Sequence, residues 1–167
     1  FPPNKCWRIT QKKKKSTKAK FLKKNKKPNQ EEVWDNISDL WNEYRKEPFD
    51  IVKEFLKNKK GFVIDLGCGS GRNMIASKDI EYYGVDISLN QLKVAEKSVK
   101  EKGINAKLFK SGADKLDSNI FKNEMFDYGL FIATLHCIED GKKRENALKE
   151  FYRVLKKRAE ALITIWN

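Results

Sequence analysis

Cysteine, histidine and proline are scarce in this chain, and each scarcity narrows what it can be. Its 167 residues include 3 cysteines, 1 histidine and 4 prolines. Cys6, Cys68 and Cys137 are odd in number, widely spaced and form no CxxC pair. Disulfide frameworks of secreted domains use even counts at close spacing, so free thiols in a reducing, cytoplasmic compartment are expected. A zinc site of Cys and His ligands would need His136 and all three cysteines to converge, so no metal site is expected. No run approaches the roughly 20 apolar residues of a membrane span. The opening Phe1-Pro2-Pro3-Asn4 offers neither an initiator Met nor an apolar signal core. Secreted and membrane-embedded classes are thereby disfavoured.

Acidic residues are missing from one region. Residues 1–30 hold 12 Lys/Arg and no Asp or Glu, whereas the remaining 24 basic residues face 23 acidic ones. Nearly all of the net +13 therefore belongs to an N-terminal arm, residues 1–29, and not to the body. Such a block resists compaction and suits phosphates, because each neutralised phosphate releases counterions. A disordered arm that contacts nucleic acid is expected, with a solvated tail as the plainer alternative. The few apolar interruptions, Trp7, Ile9, Phe21 and Leu22, fit either docking or base contact.

What is present begins at Gln30. Val33, Trp34, Ile37, Leu40, Trp41 and Tyr44 recur at helical spacing, and the stripe reads as core packing. A short helix should follow Pro48. Strands then alternate with helices. Strands are expected over Phe62 to Leu66, Tyr82 to Ile87, Ala106 to Phe109, Phe126 to Ala133 and Ala161 to Trp166. Helices are expected from Met74 to Lys78, from Leu89 to Lys102 with Leu92, Ala95 and Val99 inward, and from Asn146 to Lys156 burying Leu148, Phe151, Tyr152 and Leu155. This rhythm implies one α/β domain over residues 30–167, a Rossmann-like, doubly wound, mostly parallel sheet. It stops where another crossover helix is due, so a domain lacking its last strands is expected.

Chemistry concentrates at the strand ends, where open α/β sheets bind ligands. The first strand runs into Asp65-Leu66-Gly67-Cys68-Gly69-Ser70-Gly71. Alternate glycines let the backbone turn sharply and approach a ligand with no Cβ in the way. Asp86 follows 21 positions after Asp65, where a carboxylate can accept the hydroxyls of a ribose. A dinucleotide fingerprint needs a third glycine where Arg72 stands. The acid ahead of the glycines would repel a pyrophosphate yet suits a cationic ligand with an ammonium group. The loop therefore favours S-adenosylmethionine over NAD.

With these residues in view, residues 61–167 resemble a class I S-adenosylmethionine-dependent methyltransferase. Two further stretches resemble the tRNA wobble-uridine carboxymethyl methyltransferases: Val33-Trp34-Asp35-Asn36-Ile37 through Arg45-Lys46-Glu47-Pro48-Phe49, and Ile132 to Ile138 with Arg144, Ala147-Leu148, Arg153-Val154-Leu155 and Ala161 to Asn167. The resemblance implies a cofactor site of Asp65, Gly67, Gly69, Gly71, Asp86, Ile87, Ala113 and Asp114, with Asp114 near the adenine amino group. It implies that His136 and Arg45 position the substrate, a carboxymethyl group that is methyl-esterified on wobble uridine of tRNA. It also implies activation by a small zinc-ribbon protein. Here the third strand matters: at a sheet edge, Leu108 and Phe109 would need cover, which strand addition by that partner would supply. Two departures stand out. Lys157-Arg158-Ala159 replaces a family Pro-Gly-Gly turn, and His136-Cys137 replaces a frequent His pair. Two rivals share parts of this pattern, a methyltransferase of small molecules or other RNA positions and a catalytically silent RNA-binding module. A titration with S-adenosylmethionine separates the latter.

Overall fold

The computed structural model describes residues 29–43 and 47–165, with 37–43 described by backbone alone. The expected arm, apart from Asn29, lies outside the described residues. Helices α1 (Gln30–Glu43) and α2 (Asp50–Leu56) precede five strands, β1 (Gly61–Leu66), β2 (Ile80–Asp86), β3 (Ala106–Lys110), β4 (Phe126–Ile132) and β5 (Leu155–Thr164). Helix α3 (Leu89–Glu101) joins β2 to β3, and α4 (Gly141–Val154) joins β4 to β5. The strands pair in parallel in the order β3-β2-β1-β4-β5. The chain moves outward from β1 to β3 and then returns to lay β4 on the other side of β1. A switch point therefore opens between β1 and β4, at the carboxyl ends of both strands.

Alternation along β1 feeds two cores. Val63 joins Val52 and Leu56 of α2 and Leu92 and Val99 of α3 on one face of the sheet. Ile64 and Leu66 join Ala147, Phe151 and Val154 of α4 on the other. Side chains two apart on a strand share a face, so a run buried throughout is what two-sided cover requires.

The expected helix from Met74 to Lys78 does not form. Only eight residues separate Gly71 from Ile80, and they are used for packing. Met74 is 1% exposed and seals the space over Gly84, where an added Cβ would lie 2.5 Å from Met74 Cε. The backbone bonds a helix would have made are satisfied otherwise. Ile75 N–H donates to Tyr82 Oη at 3.1 Å, and Tyr82 Oη donates to Ile75 C=O at 3.2 Å. A buried phenol thus replaces a helical turn.

Helix α4 starts five residues earlier than expected, because the Asp140 carboxylate accepts from Lys142 N–H (2.7 Å) and Lys143 N–H (3.2 Å). Its buried face is also rotated. Ala147, Phe151 and Val154 are inside, whereas Leu148 is 39% and Tyr152 83% exposed. Gly129 on β4 decides this: a Cβ there would meet Phe151 Cζ at 2.4 Å, so the ring lies on bare backbone and sets the helix rotation. Leu155 falls in β5, not in the helix. That strand begins with Phe126↔Leu155 and resumes at Tyr128↔Glu160, an irregularity that spans the Lys157-Arg158-Ala159 replacement. Arg158 takes φ 67, the left-handed region that the family's glycine would occupy freely.

Strand β3 is at the edge, as its place in a doubly wound order implies. Its apolar side chains are not the hazard expected. Leu108 packs on one core, and Phe109 stacks on Tyr83 at 5.9 Å between ring centroids. Lys107 pairs with Glu81 at 2.7 Å and Lys110 with Glu31 at 2.7 Å. Lysines on an edge already discourage indiscriminate strand addition. Tyr82→Phe should lower stability by about 1–2 kcal/mol, since it leaves two part-buried backbone groups of Ile75 without their partner. Urea denaturation of the two proteins measures this, and β2 packing itself should be spared because the ring remains.

Candidate active site

The glycine loop after β1 is pinned at both of its ends. Gly67 N–H and Cys68 N–H both donate to Val85 C=O, at 2.7 and 3.0 Å. Gly69 N–H donates to Asp86 Oδ2 at 2.8 Å, and Ser88 N–H donates to Asp86 Oδ1 at 2.8 Å. The carboxylate at the end of β2 thus clamps the loop to the start of α3. Gly67, Gly69 and Gly71 all have positive φ (71, 53 and 72). Their surroundings differ. A Cβ on Gly67 would run into Thr134 Cγ2 at 2.2 Å, whereas on Gly69 it would find only Gln91 Oε1 at 3.8 Å. Gly67 is needed for close packing and Gly69 leaves open space.

That space is a cavity of about 990 Å³. Of the expected site residues, Gly67, Gly69, Asp86, Ile87, Ala113, Asp114 and His136 line it. Gly71 and Asp65 do not. Gly71 is buried against Ala95 of α3, its absent Cβ 3.4 Å from that of Ala95. Asp65 lies in the wall behind the loop, 1% exposed, with Oδ2 lacking any hydrogen-bond partner among the described residues. Arg45 lies outside the described residues. His136 sits on a single 3-10 turn, Leu135–Cys137, exposed at the cavity rim.

Several contributors escaped the sequence pattern. Thr134 Oγ1 donates to Ile132 C=O at 2.9 Å and approaches Gly67 C=O at 3.3 Å, tying the β4 loop to the glycine loop. Ala133 is held at φ 51 while its N–H reaches Thr164 Oγ1 at 2.9 Å. Trp34 belongs to the cavity wall and not solely to the core that its helical spacing suggested. Helix α1 roofs the cavity through polar contacts: Asp35 accepts from Ser88 Oγ and from Asn90 N–H (3.2 Å), Glu31 pairs with Lys110, and Gln30 Nε2 donates to Glu139 Oε1 at 3.2 Å. The Ser88 bond holds the Asp35 carboxyl below its ordinary range. Asp86 is pushed the other way by burial, although backbone N–H groups of Ser88, Gly69 and Ile87 oppose the shift. Burial, aided by the Asp86 charge and opposed by Arg72, pushes the Asp65 carboxyl up to about 7. Cys68 and Cys137 thiols are raised by burial and stay protonated at neutral pH.

The cavity lies at the switch point, with Asp86 and the bare Gly69 in its lining and Asp65 buried behind the loop, an acidic setting that suits a cation better than a pyrophosphate. A family model described as a methyltransferase domain matches residues 63–158. The chain belongs to that family. A Saccharomyces cerevisiae protein named tRNA (carboxymethyluridine(34)-5-O)-methyltransferase is 30% identical over 80% of this chain and 46% of its own length. A Xenopus tropicalis protein of the same designation, alkbh8, is 30% identical over 80% of this chain and 20% of its own. The chain thus spans less than half the length of either relative. Among solved structures, an Aquifex aeolicus SAM-dependent methyltransferase superposes with a TM-score of 0.64 at 24% identity, covering 80% of this chain and 73% of that one. A Haemonchus contortus N-methyltransferase in complex with S-adenosylhomocysteine superposes with a TM-score of 0.62 at 27% identity, covering 77% of this chain and 32% of that one. S-adenosylmethionine is the cofactor of this domain, and the unpartnered Asp65 oxygen and the open face of Gly69 fit a cationic adenosyl ligand.

The raised Asp65 carboxyl has a consequence for the ligand-free protein. The folded state keeps a proton that the unfolded chain releases near pH 4, so stability present at low pH should fall as pH climbs from about 4 to about 7. Asp65→Asn imitates the protonated form and should flatten that fall. Thermal midpoints of both proteins across this window provide the comparison.

Proposed function

We propose that this methyltransferase domain acts on tRNA, esterifying the carboxymethyl group of a wobble uridine. The observation that carries the proposal is the 30% identity, sustained over 80% of the chain, to relatives bearing that name. The site's electrostatics support it. Asp86 lines the cavity with Asp65 buried behind the loop, whereas Lys143, and Lys110 paired with Glu31, bring positive charge to the wall for an anionic substrate.

When bound, S-adenosylmethionine supplies a methyl group made electrophilic by its sulfonium. The chain's own residues then have positioning work to do. Asp65 receives the ammonium, Asp86 the ribose hydroxyls, Gly67, Gly69 and Ile87 form the surface along the adenosyl group, and Ala113 and Asp114 meet the adenine. Gly71 acts one step back, seating the loop on α3. His136, at the rim, and Arg45, assigned by the resemblance, hold the substrate carboxylate in line with the methyl group. A carboxylate is ionised at neutral pH, so no residue has to remove a proton, and approach geometry supplies most of the rate. The pair should hold the carboxylate without over-stabilising it, since binding gained equally in ground and transition states does not lower the barrier.

The basic arm, residues 1–29, would contact tRNA phosphates. A small zinc-ribbon activator would add a strand at β3, whose outer backbone groups have no strand partner among the described residues. A cytoplasmic setting is part of this reading, supported by cysteines whose number and spacing suit free thiols. No helix among the described residues is long and apolar enough to cross a membrane.

Mass spectrometry of tRNA nucleosides from cells lacking the protein tests the proposal directly. Loss of the methyl ester with accumulation of the free carboxymethyl nucleoside is expected, and an unchanged nucleoside profile would refute it. Asp86→Ala should weaken S-adenosylmethionine binding by about 1.5–3 kcal/mol, measured by calorimetry, because a carboxylate hydrogen bond to the ligand is lost. Deleting residues 1–29 should weaken tRNA binding and flatten its salt dependence while cofactor affinity stays the same.

A further inference from the structure

Gln91 has no role in the expected site, yet it is the polar side chain that the fold explains least. It occupies the first turn of α3, three residues after the N-cap Ser88, whose hydroxyl accepts from Gln91 N–H at 3.1 Å. Its side chain is 2% exposed overall. Neither Oε1 nor Nε2 has a hydrogen-bond partner among the described residues. Burying an amide in this way is costly, and most buried polar groups avoid it. A leucine would fill nearly the same volume without the penalty, and the neighbouring inward positions, Leu92, Ala95 and Val99, are apolar.

The unpaired amide is not lost in the core. Gln91 lines the cavity together with Gly69, Asp86 and Ile87. The open side of Gly69 is directed at it, with Oε1 as the nearest atom at 3.8 Å. Asp86 can only accept hydrogen bonds, and each of its oxygens already takes one from backbone. A sugar diol has donors and acceptors, so a carboxylate alone leaves it half satisfied. An amide beside the carboxylate provides both a donor and a further acceptor.

We propose that Gln91 is a direct ligand-contacting residue of the cofactor site, its amide bonding the ribose hydroxyls next to Asp86. This rests on the proposed placement of the adenosyl group between Asp86 and the glycine loop. The penalty of the buried amide in the free protein is then relieved on binding, so Gln91 exchanges stability of the empty domain for affinity and for recognition of the ribose.

Gln91→Leu tests this in the full chain with S-adenosylhomocysteine and its 2′-deoxy analogue as probes. The thermal midpoint of the ligand-free variant should equal or exceed that of the parent, while the Kd for S-adenosylhomocysteine rises about tenfold. The parent should prefer the ribose form over the deoxy form by more than the variant does. Gln91→Met serves as a second variant should leucine's branching disturb folding. An unchanged Kd, or a lower thermal midpoint with the ribose preference intact, would overturn the assignment and make Gln91 a packing residue. If Asp86→Ala loses affinity while both Gln91 variants keep it, the adenosyl placement survives and this inference alone fails. If the parent binds neither probe, both fail.

Discussion

One carboxylate organises the functional end of this domain. Asp86 ends β2 and takes Gly69 N–H on one oxygen and Ser88 N–H on the other. Charge-assisted bonds to backbone are about twice as strong as neutral ones and are directional. The glycine loop therefore takes its shape from the neighbouring strand and not from a helix of its own. Ser88 extends the chain of contacts: its hydroxyl donates to Asp35, which brings α1 over the cavity. Loop, helix start and roof all refer back to the same side chain. A neutral residue at position 86 would leave the fold's two cores in place and loosen everything that faces the ligand.

The economy of the crossover between β1 and β2 makes that clamp necessary. A helix there would have presented N–H groups to the ligand and stiffened the loop. Met74 is instead driven beneath Gly84, and the phenol of Tyr82 serves both backbone groups of Ile75. The crossover from β3 to β4 is also without a helix among the described residues, and contributes Leu116 and Phe121 to the second core. Arg153 of α4 secures that segment, donating to Phe121 C=O at 2.8 Å and to Asn123 Oδ1 at 2.9 Å while pairing with Glu150. Aromatic packing among Phe109, Phe121 and Phe126 does the work of a covering helix there.

Both signs of charge line the cavity, with acidic residues in the majority. Asp86 lines it beside the glycine loop, and farther out Lys110, paired with Glu31, and Lys143 stand among Asp114, Glu139 and Asp140. Asp65 is the sharper case. A buried carboxylate beside a second acid is uncomfortable when ionised, which is why its affinity for a proton rises. A cation brought close to that carboxylate would favour its ionised form and lower its affinity for the proton.

The strands and their doubly wound, parallel arrangement were legible in the sequence, because buried strands and glycine-rich turns leave a local imprint. Val63, Ile64 and Leu66 had to be covered on both sides, and Asp65 and Asp86 at strand ends had to face the switch point or its wall. Helical existence after Gly71 and the rotation of α4 were not legible. Both depend on what lies across a gap: Gly84 makes room for Met74, and Gly129 makes room for Phe151, so Leu148 and Tyr152 turn outward. A glycine states locally only that a side chain is absent. Which distant group uses the vacated space is decided in three dimensions, by packing. The same holds for Gln91, which the sequence did not single out and whose opening onto Gly69 and Asp86 needed the folded chain. Sequence alone determined the layers and the residue types at their ends; tertiary contact decided which side chains line the cavity, because that depends on close approach between segments far apart in the chain.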